Sequence, residues 1–158
     1  MFGQDLREFI QTLDDHAVRY LVVGGYAVAF HGEPRYTKDL DVWIELNPEN
    51  AARLIEALNA FGFGSLHLRA EDFLVPDQII QLGYPPNRID LLVSLLGVDF
   101  ETCYAVKVEA VMDGVPVNFI DIENLKKNKR ATGRLQDRAD LESLMKGGKK
   151  RGGHPRNR

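Results

Sequence analysis

The sequence predicts an α/β (α+β) protein in which a small mixed β-sheet is flanked by helices. Short β-rich runs alternate with longer segments whose apolar residues recur at helical spacing. Two of the later β-rich runs flank Met112-Asp113-Gly114, and an Asp-Gly pair in that position favours a tight hairpin turn. These observations together define the fold class.

The first half of the chain alternates helices and strands. Residues 3–17 place apolar side chains at helical spacing, and residues 20–23 form a short apolar run typical of a buried strand. A short helix is expected at 26–31 and a second strand at 41–46. Pro48 is suited to the first turn of a helix over 49–61, which Gly62 ends.

The second half supplies two more strands, the hairpin and three helices, whereas residues 63–76 give no clear pattern. The expected elements are strands at 77–82 and 88–95, a short helix at 99–104, hairpin strands at 106–111 and 115–120, and helices at 122–131 and 134–146. Asp121 is placed to cap the first of the last two helices.

Length and composition indicate one soluble domain, assigned to residues 1–146, followed by a basic tail over 147–158 that is expected to be disordered. The net charge is −3, yet residues 146–158 carry six Lys or Arg and no acidic residue. A single cysteine rules out an internal disulfide and suits a reducing cytoplasm. No apolar stretch reaches the ~18–20 residues of a membrane span. The amphipathic, acidic N-terminus is not typical of a signal peptide.

Three aspartates form the candidate catalytic and metal-binding group. Asp39 and Asp41 are two residues apart at the start of a strand, so their side chains point the same way. Asp90 interrupts a later apolar strand, and neighbouring strands would bring it beside the pair. Carboxylates held together repel one another unless a cation lies between them. Oxygen ligands favour Mg²⁺ or Mn²⁺, and such acidic clusters support two-metal phosphoryl chemistry.

A glycine pair precedes the aspartates. Gly24 and Gly25 end the first strand, where the missing Cβ atoms let the chain turn sharply and let a ligand approach the backbone. The amide groups of the following helix would face the same point and could bind phosphate.

The motif VVGGYAVAFHGEPRYTKDLDVWI resembles the nucleotidyltransferase superfamily of the polymerase-β type. More narrowly, its glycine pair, His-Gly and Arg-x-Thr-x-Asp-apolar-Asp are similar to small prokaryotic nucleotidyltransferases related to the AbiEii-type toxin and to the minimal nucleotidyltransferases. The C-terminal stretch LKKNKRATGRLQDRADLESL resembles the helical ending of those proteins. Many members of the superfamily have Ser after the first glycine, where this chain has Gly25.

The resemblance implies a nucleotidyltransferase that uses Mg²⁺ or Mn²⁺ and takes an NTP, such as ATP, as donor. It assigns the metals to Asp39, Asp41 and Asp90, with Asp90 as the third catalytic carboxylate. Nucleotide contacts fall to Gly24, Gly25, Arg35, Thr37, Lys129 and Arg134. The acceptor hydroxyl could belong to RNA, a protein or a small molecule. A partner protein or a second copy could help to hold it, and a toxin–antitoxin or defence pair is a family-level expectation.

Simpler structural interpretations stay open beside these. Asp39 and Asp41 could form a surface turn, Asp90 could be an exposed strand end, and Arg35 could pair structurally with an aspartate. Lys129, Arg134, Asp137 and Asp140 could form a solvated salt-bridge face. Two rival functions are a non-catalytic module that keeps the fold and binds nucleotide, and an RNA-binding protein that acts through the basic tail.

Overall fold

A computed structural model describes residues 3–34, 36–83 and 88–152, although only the backbone is described for residues 147–152. Its centre is a six-stranded mixed sheet with the strand order β3-β4-β2-β1-β6-β5. Helices cover this sheet, so the α/β (α+β) class expected from the sequence is confirmed.

The strands and helices alternate in the first half of the chain and cluster by type in the second. In chain order, the elements are α1 (Gln4–Asp15), β1 (Tyr20–Val23), α2 (Gly24–His31), β2 (Leu40–Ile44), α3 (Pro48–Phe61), β3 (Ile79–Leu82), β4 (Ile89–Leu92), α4 (Phe100–Ala105), β5 (Val108–Met112), β6 (Val115–Phe119), α5 (Ile122–Thr132) and α6 (Leu135–Gly152). Two short 3₁₀ helices, Gly64–Leu66 and Ala70–Phe73, occupy the stretch for which the sequence gave no pattern.

The register of the three central strands positions the site. β2 is antiparallel to β1 and parallel to β4. Asp41 therefore lies opposite Val23, the last residue of β1, on one side. On its other side it lies opposite Asp90 of β4.

All four residues of the central strand β1 are buried, as expected where both faces of a strand are covered. α1 and α3 pack against each other, and α1 also contacts β6. α2 packs on β1 and β2 and against α5 and α6, which contact each other. Within the described residues, no helix has the length and apolar character needed to cross a membrane.

Element boundaries differ from the sequence prediction mainly at the strand ends. β2 begins and ends earlier than expected, β4 is shorter, and α2 starts directly at Gly24. α6 continues to Gly152, so its backbone is helical beyond residue 146, the expected domain boundary. The division into a domain and a disordered tail stays a prediction, and residues 153–158 lie outside the described part of the chain.

Candidate active site

Gly24 is in direct contact with Asp41. Its backbone has a φ of +64°, a left-handed conformation that favours glycine. A Cβ atom built there would collide with Oδ2 of Asp41 and lie 2.9 Å from its Cγ. The turn at Gly24 and the carboxylate of Asp41 therefore fit together only because position 24 has no side chain.

The cross-strand pair Asp41 and Asp90 shares one electrostatic environment. The pKa of Asp41 is raised to about 7, chiefly by burial and also by the charge of Asp90 and a hydrogen bond between the two carboxyl groups. The charge of Asp39 adds to this, whereas Lys129 opposes it. The register thus places Asp41 beside Asp90, and Asp41 lies within β2 and is not part of an exposed surface turn.

Arg88 bridges two of the three carboxylates. Its Nη2 atom donates a hydrogen bond to Oδ2 of Asp39 at 2.7 Å and a longer one to Oδ2 of Asp90 at 3.3 Å. Its Nε atom lies 3.2 Å from Oδ1 of Asp90, an ion pair without hydrogen-bond geometry. The sequence prediction missed Arg88, although it lies two residues before Asp90, where the period of a strand puts both side chains on one face.

The donor chemistry of this cluster fits a divalent cation, but the arrangement is not a ready-made metal site. Among the described residues, no group of three or more His, Cys, Asp or Glu side chains is placed to hold a metal ion as it stands. Carboxylate oxygens are nevertheless the ligands that Mg²⁺ and Mn²⁺ prefer. Burial and the neighbouring carboxylates raise the pKa of Asp41, and a cation bound there would favour its charged form. Metal binding through all three carboxylates would therefore require Arg88 to release Asp39.

Thr37 and Arg35 were predicted to contact phosphate. The hydroxyl oxygen of Thr37 is buried and finds no hydrogen-bond partner among the described residues. A buried hydroxyl in that state could be satisfied by a ligand oxygen. Arg35 lies outside the described residues, and both assignments stay predictions.

A cavity of about 470 Å³ opens beside Gly24 and Asp41. Its opposite wall carries Lys129, Thr132 and Arg134 from the end of α5 and the turn that follows. The structure therefore brings the glycine turn, the strand aspartate and the two predicted C-terminal cations to one cavity.

Lys129 and Arg134 form ion pairs with buried carboxylates. The Nζ atom of Lys129 lies 3.4 Å from Asp137 and 3.1 Å from Asp140, and these aspartates are 0% and 1% exposed. Arg134 donates from Nε to Asp137 at 2.8 Å, and this bond holds the pKa of Asp137 well below its ordinary range. The interpretation of these residues as a solvated salt-bridge face is wrong, because the carboxylates are buried. Phosphate contact by Lys129 and Arg134 stays a prediction.

Comparison with known proteins gives matches in structure only. No family model matches the chain, and no curated protein matches it in sequence. A protein of Thermotoga maritima assigned as a nucleotidyltransferase superposes with a TM-score of 0.57 at 14% identity, over 89% of each chain. The lincosamide antibiotic adenylyltransferase LnuA gives a TM-score of 0.55 at 12% identity, over 92% of this chain and 97% of that one. The antibiotic-resistance factor ANT(2'')-Ia gives a TM-score of 0.54 at 12% identity, over 94% of this chain and 83% of that one.

These structures show that the chain has the nucleotidyltransferase fold. At such low identity the likeness concerns the fold alone, and it does not extend to the AbiEii type suggested by the sequence motif. What the chain does with this fold must be argued from its own site.

Proposed function

We propose that this protein transfers a nucleoside monophosphate from an NTP to a hydroxyl acceptor and releases pyrophosphate. The observation that supports it best is the cross-strand pair Asp41 and Asp90 beside Gly24. Any side chain at position 24 would occupy the space next to Asp41. The narrower kinship with AbiEii-type nucleotidyltransferases, and a role in a toxin–antitoxin or defence pair in the cytoplasm, belong to the same proposal and rest on the sequence motif.

The triphosphate would bind between α2 and α5. The first turn of α2 follows Val23, whose side chain cannot cap the helix, so its amide groups are available to an anion. Lys129 and Arg134 line the cavity opposite. Their charges would hold the phosphates in line with the acceptor, and positioning of this kind supplies much of the catalysis in phosphoryl transfer.

In the reaction, the acceptor oxygen forms a bond to the α-phosphorus, and the bond from that phosphorus to the oxygen bridging to the β-phosphorus breaks. The electron pair of that bond leaves with pyrophosphate. The hydroxyl proton passes to a carboxylate of the pair Asp41 and Asp90.

Asp39, Asp41 and Asp90 would hold Mg²⁺ or Mn²⁺, which neutralises charge on the phosphates when bound. Release of Asp39 by Arg88 would then free a guanidinium group next to the incoming phosphates. A guanidinium group can donate two parallel hydrogen bonds to the oxygens of one phosphate. Arg88 is therefore a further candidate for the nucleotide contacts.

Calorimetric titration tests the proposal without knowledge of the acceptor. Each of the four NTPs is titrated with and without Mg²⁺ into the wild type and into Asp41→Asn. The matched control is Glu56→Gln, which changes an exposed carboxylate on α3. Binding of at least one NTP that needs Mg²⁺ and is lost in Asp41→Asn alone is expected. Binding that persists unchanged in Asp41→Asn would refute the assignment.

The second candidate function is a module that binds nucleotide without transferring it. The bridging position of Arg88 favours this candidate, because the guanidinium already neutralises two carboxylates that a metal would need. Incubating the wild type with α-labelled NTP and a lysate, and measuring labelled product, distinguishes the two functions. Labelled product that disappears in Asp90→Asn indicates transfer, whereas NTP binding without any labelled product indicates the module.

A further inference from the structure

A second cavity of about 490 Å³ adjoins the first one. It lies near the C-terminal ends of β2 and β4, and Ser94 and Leu95 line both cavities. Trp43 lies on its wall and is two residues after Asp41, so the two side chains share a face of β2 about 7 Å apart along the strand. A molecule in the second cavity would therefore reach the aspartate pair with one end.

The floor of the second cavity is aromatic. The rings of Trp43 and Phe100 meet edge to face, with centroids 5.1 Å apart, and Phe100 stacks on Tyr104 at 5.4 Å. Trp43 is 2% exposed, yet its indole Nε1–H group finds no hydrogen-bond acceptor among the described residues. Because that nitrogen is itself buried, Phe100 and the small exposed part of Trp43 form the aromatic wall that a ligand would meet.

The rim of the second cavity is acidic. Glu45, Asp99 and Glu101 are among its lining residues, and no Lys, Arg or His lines it in the part of the chain that the structure describes. Arg19 lies 3.4 Å from Glu45 and offsets part of that charge. Hydrogen bonds from Thr102 lower the pKa of Asp99, so this carboxylate is ionised at neutral pH. The rim therefore carries a net negative charge.

The two cavities differ in polarity, because the first presents cations to its ligand. Lys129 and Arg134 line the first cavity, whereas the carboxylates that support them, Asp137 and Asp140, do not. An anionic triphosphate is thus favoured in the first cavity and repelled by the rim of the second. An RNA acceptor would bring a negative charge with every nucleotide and would meet the same repulsion.

We propose that the second cavity is the acceptor subsite and that it takes a hydroxylated small molecule bearing an amine. The apolar face of the molecule lies on Phe100, beside Trp43, and its ammonium group lies toward Glu101 and Asp99. A hydroxyl group of the same molecule extends to Asp41. This inference rests on the proposed transferase function and specifies its acceptor.

The test uses the fluorescence of Trp43, which is the only tryptophan in the sequence. The full-length protein is titrated with two matched probes, a β-1,4 disaccharide of glucosamine and cellobiose, which differ only in carrying ammonium or hydroxyl groups at two positions. The pH is chosen so that both amines are protonated. A uridine trinucleotide is the third probe. We expect a saturable change in emission with the amino disaccharide, at least tenfold weaker binding of cellobiose, and no response to the trinucleotide.

Matched variants locate the binding. Glu101→Gln removes one exposed rim carboxylate and is expected to weaken binding of the amino disaccharide by roughly two- to fivefold, the range for an exposed charge pair. Glu56→Gln should leave the affinity unchanged. Equal affinity for both disaccharides, a saturable response to the trinucleotide, or no emission change with any probe would each overturn the inference. Mg²⁺-dependent NTP binding that persists in such a case would show that the acceptor assignment failed while the proposed function survived.

Discussion

Replacing Asp41 by asparagine is expected to stabilise the metal-free protein at alkaline pH. Folding raises the pKa of Asp41 from 3.8 to about 7, because burial and the neighbouring carboxylates penalise its charged form. At 1.36 kcal/mol per pKa unit, this shift corresponds to about 4 kcal/mol as an upper limit. Local relaxation and water lower the effective cost, so we expect about 2 kcal/mol.

The sign of the effect follows from proton binding. Between about pH 4 and pH 7 the folded protein holds a proton on Asp41 that the unfolded chain has lost, so the free energy of unfolding falls as pH rises. Above about pH 7 Asp41 is ionised in the folded protein, and its buried charge destabilises the fold by the full amount. Asparagine is neutral at every pH and avoids this cost. The free energy of unfolding of Asp41→Asn should therefore equal that of the wild type near pH 4 and exceed it near pH 8.

Thermal unfolding in the presence of a chelator measures this difference. For a chain of this size, about 2 kcal/mol corresponds to a midpoint roughly 4–8 °C higher for Asp41→Asn near pH 8. Glu56→Gln, on the exposed surface of α3, is the control and should show no pH-dependent difference. Addition of Mg²⁺ should stabilise the wild type and leave Asp41→Asn unchanged. A variant that is less stable than the wild type near pH 8 without metal would refute the electrostatic reasoning.

Three further changes test other parts of the site. Gly24→Ala should abolish NTP binding and cost roughly 1–3 kcal/mol, because a Cβ would strike Asp41 at a left-handed backbone position; calorimetry that finds normal NTP affinity would contradict this. Lys129→Met should lower the free energy of unfolding, measured in urea, by about 3–5 kcal/mol, because Asp137 and Asp140 lose the cation that they share. A loss below about 1 kcal/mol would count against that network. Arg88→Met should increase the affinity of the nucleotide-free protein for Mn²⁺, measured by electron paramagnetic resonance, because the guanidinium no longer competes for Asp39; unchanged or weaker affinity would show that it does not compete.

Local patterns were sufficient for the fold class and for the centre of the site. The apolar run before Gly24 and the alternation around Asp41 predict two strands that end and begin at the site, and the structure has them there. Asp90 was singled out because a lone carboxylate in an apolar strand is unusual. The parallel register of β2 and β4 places it directly opposite Asp41. These features are encoded in short stretches, because strand periodicity and glycine conformation depend on immediate neighbours.

Other features depended on contacts between distant parts of the chain. The pairing of Lys129 with Asp137 and Asp140 looked like a solvated helix face in sequence, because spacing on a helix does not reveal what covers it. The bridge from Arg88 to Asp39 joins residues 49 positions apart, and the cavity beside Trp43 is built from β2 and the segment around α4.

The sequence by itself thus determined which residues carry charge and where strands turn. Only the tertiary structure decided which charges are buried, which are paired and which face a cavity. The physical reason is that burial and electrostatic pairing depend on distances set by packing of the whole chain, whereas local conformation depends on a few adjacent residues.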